Sequence, residues 1–293
     1  MAVRKSHLTV LAYPKQEPAA IRPAGKRYLP GMTPFRLLGG LLLSLVLSTG
    51  DAQTVADVQK LPLVHDPLVK MPSAALSATD QQAVTTLART LNARPEVQDL
   101  KRKWPYSQGV SLKTVLFTIS APFRSGTLER LTVFSVSEAE PPVLLFVLSG
   151  AKGLTADLVE PATDAEFCRV GQGYSLRDMD QNGLRELAFT LDCTPGEMML
   201  TDLYLFRYGP GRWVFWQAFP VSSSYGGGWE GHEQSIKIHV RKGKSPQFYG
   251  LLDRREWAGP PEFVSRTDPT RTVGVIKYAP TSLNEAWRVR HLF

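Results

Sequence analysis

The apolar positions of this chain change period near its middle. From residue 78 to 91 they recur at helical spacing: Val84, Leu87, Ala88 and Leu91 share a face, and Ser77 stands where an N-cap belongs. Pro95 suits the first turn of a second helix in which Val97, Leu100 and Trp104 lie together and Pro105 forces a stop. Each helix has a single apolar stripe, so both must pack on the edge or face of the domain C-terminal to them.

From about Thr114 the pattern becomes that of strands. Residues 114–120, 128–136 and 143–148 are rich in β-branched and aromatic side chains and are separated by loops of Pro, Gly, Ser and Glu. The third is apolar on both faces, as a central, covered strand requires. Strands are also expected over 166–174, 187–193, 203–208 and 212–219, the last two joined by Gly209-Pro210-Gly211. Ile236, Ile238 and Val240 alternate with Lys237, His239 and Arg241, which predicts one buried face and one wet face. Residues 248–252 and 271–278 read as strands, and Ser282 as the cap of a short terminal helix through Trp287. With roughly nine strands, the fold expected is mainly β: antiparallel sheets, propeller-like or sandwich-like, with a small N-terminal two-helix segment. The expected organisation is a leader over 1–52, a linker or extended arm over 53–75, a helical segment over 76–106 and a β-rich domain over 107–293. The arm has scattered prolines (Pro62, Pro67, Pro72) and no period.

Charge changes the picture only in the leader. The net charge of +7 suggests a nucleic-acid binder until it is divided along the chain. Seven of the 34 Lys and Arg but only two of the 27 Asp and Glu fall within residues 1–52, which leaves a nearly balanced remainder. Nucleic acid is therefore not an expected partner. Residues 37–47 are an apolar run behind Arg36, followed by Ser48-Thr49-Gly50-Asp51-Ala52, the layout of a signal peptide cleaved after about Ala52. Eleven residues span about half a bilayer, so no permanent membrane span is expected. No cysteine near the cleavage point supports a lipid anchor. Residues 1–31 are long for the basic part of a signal, and Met32 is a candidate for the true start.

The densest candidate chemistry is Asp178-Met-Asp180-Gln-Asn182-Gly183-Leu184-Arg185-Glu186. Asp178, Asp180 and Asn182 take coordination positions one, three and five, Gly183 allows the turn, the Leu184 carbonyl comes seventh and Glu186 ninth. An EF-hand needs a bidentate acid at position twelve, which is Phe189, and flanking helices, where both flanks read as strands. With that excluded, the stretch resembles the D-x-D-x-N-G-x-x-E/D loop of FG-GAP and VCBS-type repeats, over residues 174–219. The resemblance implies a loop between two strands that holds structural Ca²⁺ in an exported protein. Glu186 stands where many members have Asp, and one copy is found where a propeller has several. The bland reading is an acidic turn without metal, with Arg177 and Arg185 offsetting its charge.

The two cysteines, Cys168 and Cys193, bracket this loop. A hairpin with Asp178 opposite Glu186 brings them nearly face to face, and export supplies an oxidising compartment. A disulfide is expected, against the alternative of two buried thiols.

Other candidates are weaker. The stretch from Tyr225 to Glu233 has three consecutive glycines, Trp229, His232 and Glu233, which makes His232 and Glu233 candidate catalytic residues. A zinc-protease H-E-x-x-H would need histidine at 236, which is Ile. The plain reading is a polar connection, and His239 reads as a solvated strand residue. Ser149-Gly-Ala-Lys152 spells S-x-x-K, but its glycines oppose the helix that the motif must open. Trp213, Phe215, Trp216 and Phe219 suggest a sugar-stacking surface, although alternation sends Trp213, Phe215 and Phe219 to one face, as a core would. The expected function is an exported, calcium-stabilised binding or structural module of the bacterial cell envelope, with an unknown polysaccharide or protein ligand. The alternative is a secreted hydrolase using residues 226–233.

Overall fold

The computed structural model describes residues 53–69, 77–103, 112, 114–136, 143–161, 168–227, 230–258, 270–279 and 287–293. The leader, with its expected cleavage at Ala52 and candidate start at Met32, lies outside them, as do Trp104, Pro105, Trp229 and Ser282.

Two short elements come first, α1 (Val55–Gln59) and β1 (Leu63–His65). A helical pair comes next, α2 (Ala78–Asn92) and α3 (Pro95–Lys103). The smaller sheet begins with β2 (Val115–Ala121), β3 (Glu129–Ser135), β4 (Leu144–Gly150) and β5 (Gly153–Pro161). The larger contains β6 (Cys168–Ser175), β7 (Leu187–Cys193), β8 (Met198–Tyr208), β9 (Trp213–Gly227), β10 (Glu230–Arg241), β11 (Gln247–Ala258) and β12 (Thr270–Lys277). The last strand, β13 (Trp287–His291), returns to the smaller sheet. Strand orders are β13-β5-β4-β3-β2 and β12-β11-β10-β9-β8-β7-β6, with β1 paired to β10, all antiparallel.

The sheets stack face to face as a β-sandwich, and sequence alternation shows how. On β4, Leu144, Phe146 and Leu148 face the larger sheet, where they meet Leu187, Phe189, Phe206, Trp213 and Phe215. Phe146 sits edge-on to Phe206 at 5.3 Å and to Trp213 at 5.9 Å, the packing that aromatic quadrupoles favour. Leu145 and Val147 point outward, where Val84, Leu91, Val97 and Leu100 of α2 and α3 cover them. The two helical stripes therefore find their partner on the outer face of the smaller sheet. Ser77 caps α2 by accepting from the Asp80 N–H, as its position predicts.

The larger sheet folds back over its own outer face. Ala188, Leu203 and Leu205 pack against Ile236, Ile238, Val240 and Phe248. The split occurs along β10: residues 230–235 pair with β9, whereas Ile238 and His239 pair with β1. β1 fills the edge that β9 leaves when it diverges.

Several expectations change. Residues 53–69 are not a free linker, because Thr54 and Asp57 form a capping box on α1, Val58 is fully buried against Tyr249 and Leu251, and Val64 joins the second core. Five helical residues with one buried side chain are too few to show a period. Trp287 opens a strand rather than closing a helix, its ring buried among Phe189, Tyr204 and Phe206. His239 is buried, because β1 covers its face and the Leu61 carbonyl meets Nδ1 at 3.0 Å. Trp213 and Phe215 face the smaller sheet while Trp216 and Phe219 face the second core, so alternation is broken. A bulge causes this: Phe206 pairs with Phe215 but Leu205 with Gln217, leaving Trp216 as an extra residue. β5 is not among the strands expected from the sequence, although Gly150 and Gly153 flank the turn that leads into it. Ser149 and Lys152 lie at the β4–β5 hairpin, where Gly150 pairs with Gly153, so no helix starts there.

Candidate functional site

The loop of residues 176–186 joins β6 to β7 and is held at both ends. The Leu176 N–H donates to the Glu186 carbonyl at 2.8 Å, which continues the ladder. Met179 is buried in the second core and anchors the middle of the loop. Gln181 and Gly183 have φ of 61° and 85°, and Gly183 meets the demand without a Cβ penalty.

Within this frame the acids converge. One carboxylate oxygen from each of Asp178, Asp180 and Glu186 lies within 4.8 Å of the others. Backbone donors hold them there: the Asp178 carboxylate accepts from Asn182 N–H at 3.1 Å and Gly183 N–H at 2.8 Å, and Glu186 from Met179 N–H at 3.1 Å. The Asn182 amide oxygen accepts from Leu184 N–H at 2.7 Å, and its NH₂ donates to Asp180 at 3.1 Å. Glu186 is 2% exposed. Burial, and then the charges of Asp180 and Asp178, push its carboxyl up to about 7 against a partial pull from the Met179 amide.

The adjacent arginines do not offset this charge. Arg177 and Arg185 are exposed. The cations near the loop come from distant strands: Arg207 of β8 lies 3.6 Å from Asp180, and Lys242, after β10, donates to the Asp178 carbonyl at 2.8 Å. Arg207 is placed there by β7–β8 pairing, as the neighbour of Phe206, which pairs with Leu187, whereas Lys242 arrives because the sheet folds over; neither is adjacent to the loop in sequence. The five oxygen donors expected from the sequence are Asp178, Asp180, Asn182, Leu184 and Glu186. Three of these converge as carboxylates, and the set is all oxygen, as a hard cation requires.

Cys168 and Cys193 are directly paired across β6 and β7 and form a disulfide with Cα atoms 4.0 Å apart. Their register depends on a bulge. Gly173 pairs with Phe189 and Val170 with Leu191, so three residues of β6 span two of β7. Without it, Cys168 would fall one residue out of step. Gly171 lies in this bulge, where an added Cβ would come 2.3 Å from Thr190 Oγ1, and the Gln172 N–H donates to that hydroxyl at 3.1 Å.

The stretch around His232 is not a polar loop but a β9–β10 hairpin, with His232 opposite Tyr225 and Glu233 opposite Ser224. Neighbours along a strand face opposite ways, so His232 and Glu233 do not converge on one reactant. The polar partner of His232 is Ser223, whose Oγ lies 3.2 Å from Nε2.

A second polar cluster escaped sequence reasoning. Asp157 of β5 is fully buried at the rim of the sandwich, where one carboxylate oxygen accepts from Trp213 N–H at 3.0 Å and the other lies 2.7 Å from His291 Nδ1. Burial pushes its carboxyl up, opposed by these two partners and by the charge of Arg212. Trp213 and His291 stand 56 and 134 residues from Asp157 in the chain.

Comparison with protein-family models, characterised proteins and solved structures gives no match for this chain.

Proposed function

We propose that the chain is an exported binding or structural module of the bacterial cell envelope, and that Ca²⁺ bound by Asp178, Asp180, Asn182, the Leu184 carbonyl and Glu186 stabilises it. The observation that carries this reading is the convergence of three carboxylates on one loop, one of them buried. Three like charges this close repel, and burying one adds a desolvation cost, so a cation relieves both terms at once. The resemblance of the loop to FG-GAP and VCBS-type repeats points the same way. Export is supported by the signal-like segment ending at Ala52 and by the disulfide, a bond of oxidising compartments. Among the described residues no helix is long and apolar enough to cross a membrane.

The metal's role is structural. The loop clamps the β6–β7 hairpin whose far end is closed by the disulfide, and it lies against the turn after β10 through Lys242 and the Gly243 N–H bonded to the Met179 carbonyl at 3.1 Å. Calcium at 100 times its dissociation constant would add about 2.7 kcal/mol, a rise of roughly 5–10 °C in melting temperature for a domain of this size. Melting the mature protein in calcium and in chelator should show that rise, and Asp178→Ala should abolish it. Equal melting under both conditions would refute the reading.

A further inference from the structure

The rim of the sandwich carries a shallow, open groove apart from the calcium loop. It has a volume of about 440 Å³ and is lined by Pro210, Gly211, Arg212, Val214 and His291. A neighbouring cavity of about 350 Å³ continues along β13 and is lined in part by Arg212, Trp213, Trp287 and Arg288. Among the described residues lining the two, every charged or titratable side chain is basic: Arg212, Arg288 and His291.

The histidine is held by the core. Asp157, fully buried, engages Nδ1 at 2.7 Å, and its other oxygen is occupied by the Trp213 N–H. With Nδ1 committed to the carboxylate, Nε2 is the ring nitrogen left for a ligand. A carboxylate behind an imidazole fixes the orientation of the ring. Arg212 is exposed at the end of the β8–β9 turn and lines the same groove. The turn itself is set by Gly211 at φ 80° and by the Gly209 N–H bonded to the Arg212 carbonyl at 2.8 Å. Trp213, which lines the second cavity, also has a buried indole N–H without a partner among the described residues. The charged lining among the described residues is thus basic, and Asp157, which engages His291, has both oxygens occupied.

We propose that this groove between the β8–β9 turn and β13 binds an oxyanion, a carboxylate or a phosphate, with the Arg212 guanidinium as its principal donor and His291, through Nε2–H of its imidazolium form, as the second. Arg212 supplies the planar fork that matches either group, and His291, oriented by Asp157, adds a second donor in its imidazolium form. The groove gives the binding module a ligand class, and it stands or falls independently of the calcium loop.

The test is an NMR titration of the ¹⁵N-labelled, disulfide-intact protein in calcium-free buffer, following the His291 ring and Arg212 Nε signals. Inorganic phosphate is the probe in one arm and glucuronate in the other. The expected result is a saturable shift of both signals with at least one probe, weakened about tenfold or more by Arg212→Gln. Arg212 is exposed, so this variant should melt as the wild type does. His291→Gln should weaken binding in the same direction, but it leaves Asp157 short of a partner, so Arg212→Gln is the deciding variant. Saturation by phosphate alone identifies a phosphoryl group, by glucuronate alone a sugar-acid carboxylate, and by both a site that selects charge. Non-saturating shifts with both probes, or saturation unchanged in Arg212→Gln, overturns the proposal. Repeating the glucuronate arm with Asp178→Ala separates this site from the calcium reading, because binding here should survive that substitution.

Discussion

Glu186 is where the chemistry of the loop meets the core. Its carboxyl sits at about 7 in the calcium-free fold against an ordinary 4.5, because burial and the neighbouring Asp180 and Asp178 disfavour its charge. Between those values the folded protein holds a proton that the unfolded chain has shed, so this residue makes the calcium-free fold lose stability as pH rises from 4.5 through 7. The size is on the order of 3 kcal/mol. His65 acts in the opposite direction. Burial lowers it to about 4, so it contributes stability that is lost as pH falls from 6.5 through 4. The two slopes oppose each other between pH 4.5 and 6.5, so the melting temperature of the calcium-free protein is a poor reporter of Glu186. The calcium-induced increment isolates it, because the metal needs the carboxylate and must displace the proton. That increment should grow from about pH 5 to about pH 7.5, and Glu186→Gln should flatten it. An increment that is the same at both pH values in the wild type would show that Glu186 is not a ligand.

At the scale of elements, the β6–β7 hairpin is fastened twice, by the disulfide at its open end and by the acidic loop at its turn. The disulfide closes a separation of 25 residues, worth about 3–4 kcal/mol in the chain-entropy account. Reduction should therefore lower the melting temperature by roughly 6–16 °C, read by calorimetry before and after reduction and alkylation. A change within about 1 °C would mean that strand pairing alone holds the hairpin. Gly171 belongs to the same device, since the bulge it allows sets the cysteines opposite each other. Gly171→Val forces a side chain into Thr190, and the expected outcome is an appreciable free-thiol fraction after oxidative refolding, measured by intact mass after alkylation.

At the scale of the whole molecule, residues 53–66 complete the structure from outside the strand-rich region. α1 lays Val58 over Tyr249 and Leu251, and β1 pairs with the part of β10 that β9 abandons. Side chains reinforce this docking: His65 Nδ1 lies 2.5 Å from the Tyr174 hydroxyl, and Asp66 pairs with Lys237 at 2.7 Å. Val58→Asp places a carboxylate in a site with no exposure and should cost about 2–4 kcal/mol. Chemical denaturation gives the value, and a variant as stable as the wild type would show that α1 contributes nothing to the fold.

The sequence by itself determined what is local. Capping at Ser77, the proline at the start of α3, the β-branched and aromatic runs of β3 and β4, the buried apolar face of β10 and the spacing of the oxygen donors each act over a few residues. Their physics is complete within that span. The cysteine pairing was legible for the same reason, as a property of one hairpin. What the tertiary structure decided is non-local. The bulge at Trp216 sends neighbouring aromatics into different cores, the docking of β1 buries His239, β7–β8 pairing sets Arg207 beside the loop, and the fold-over of the larger sheet brings Lys242 to it. The rim of the sandwich joins Asp157, Trp213 and His291 from three strands. Periodicity reports which face a residue takes only while register is unbroken. It carries no information about which distant strand will cover that face, because that choice is made by packing over the whole molecule.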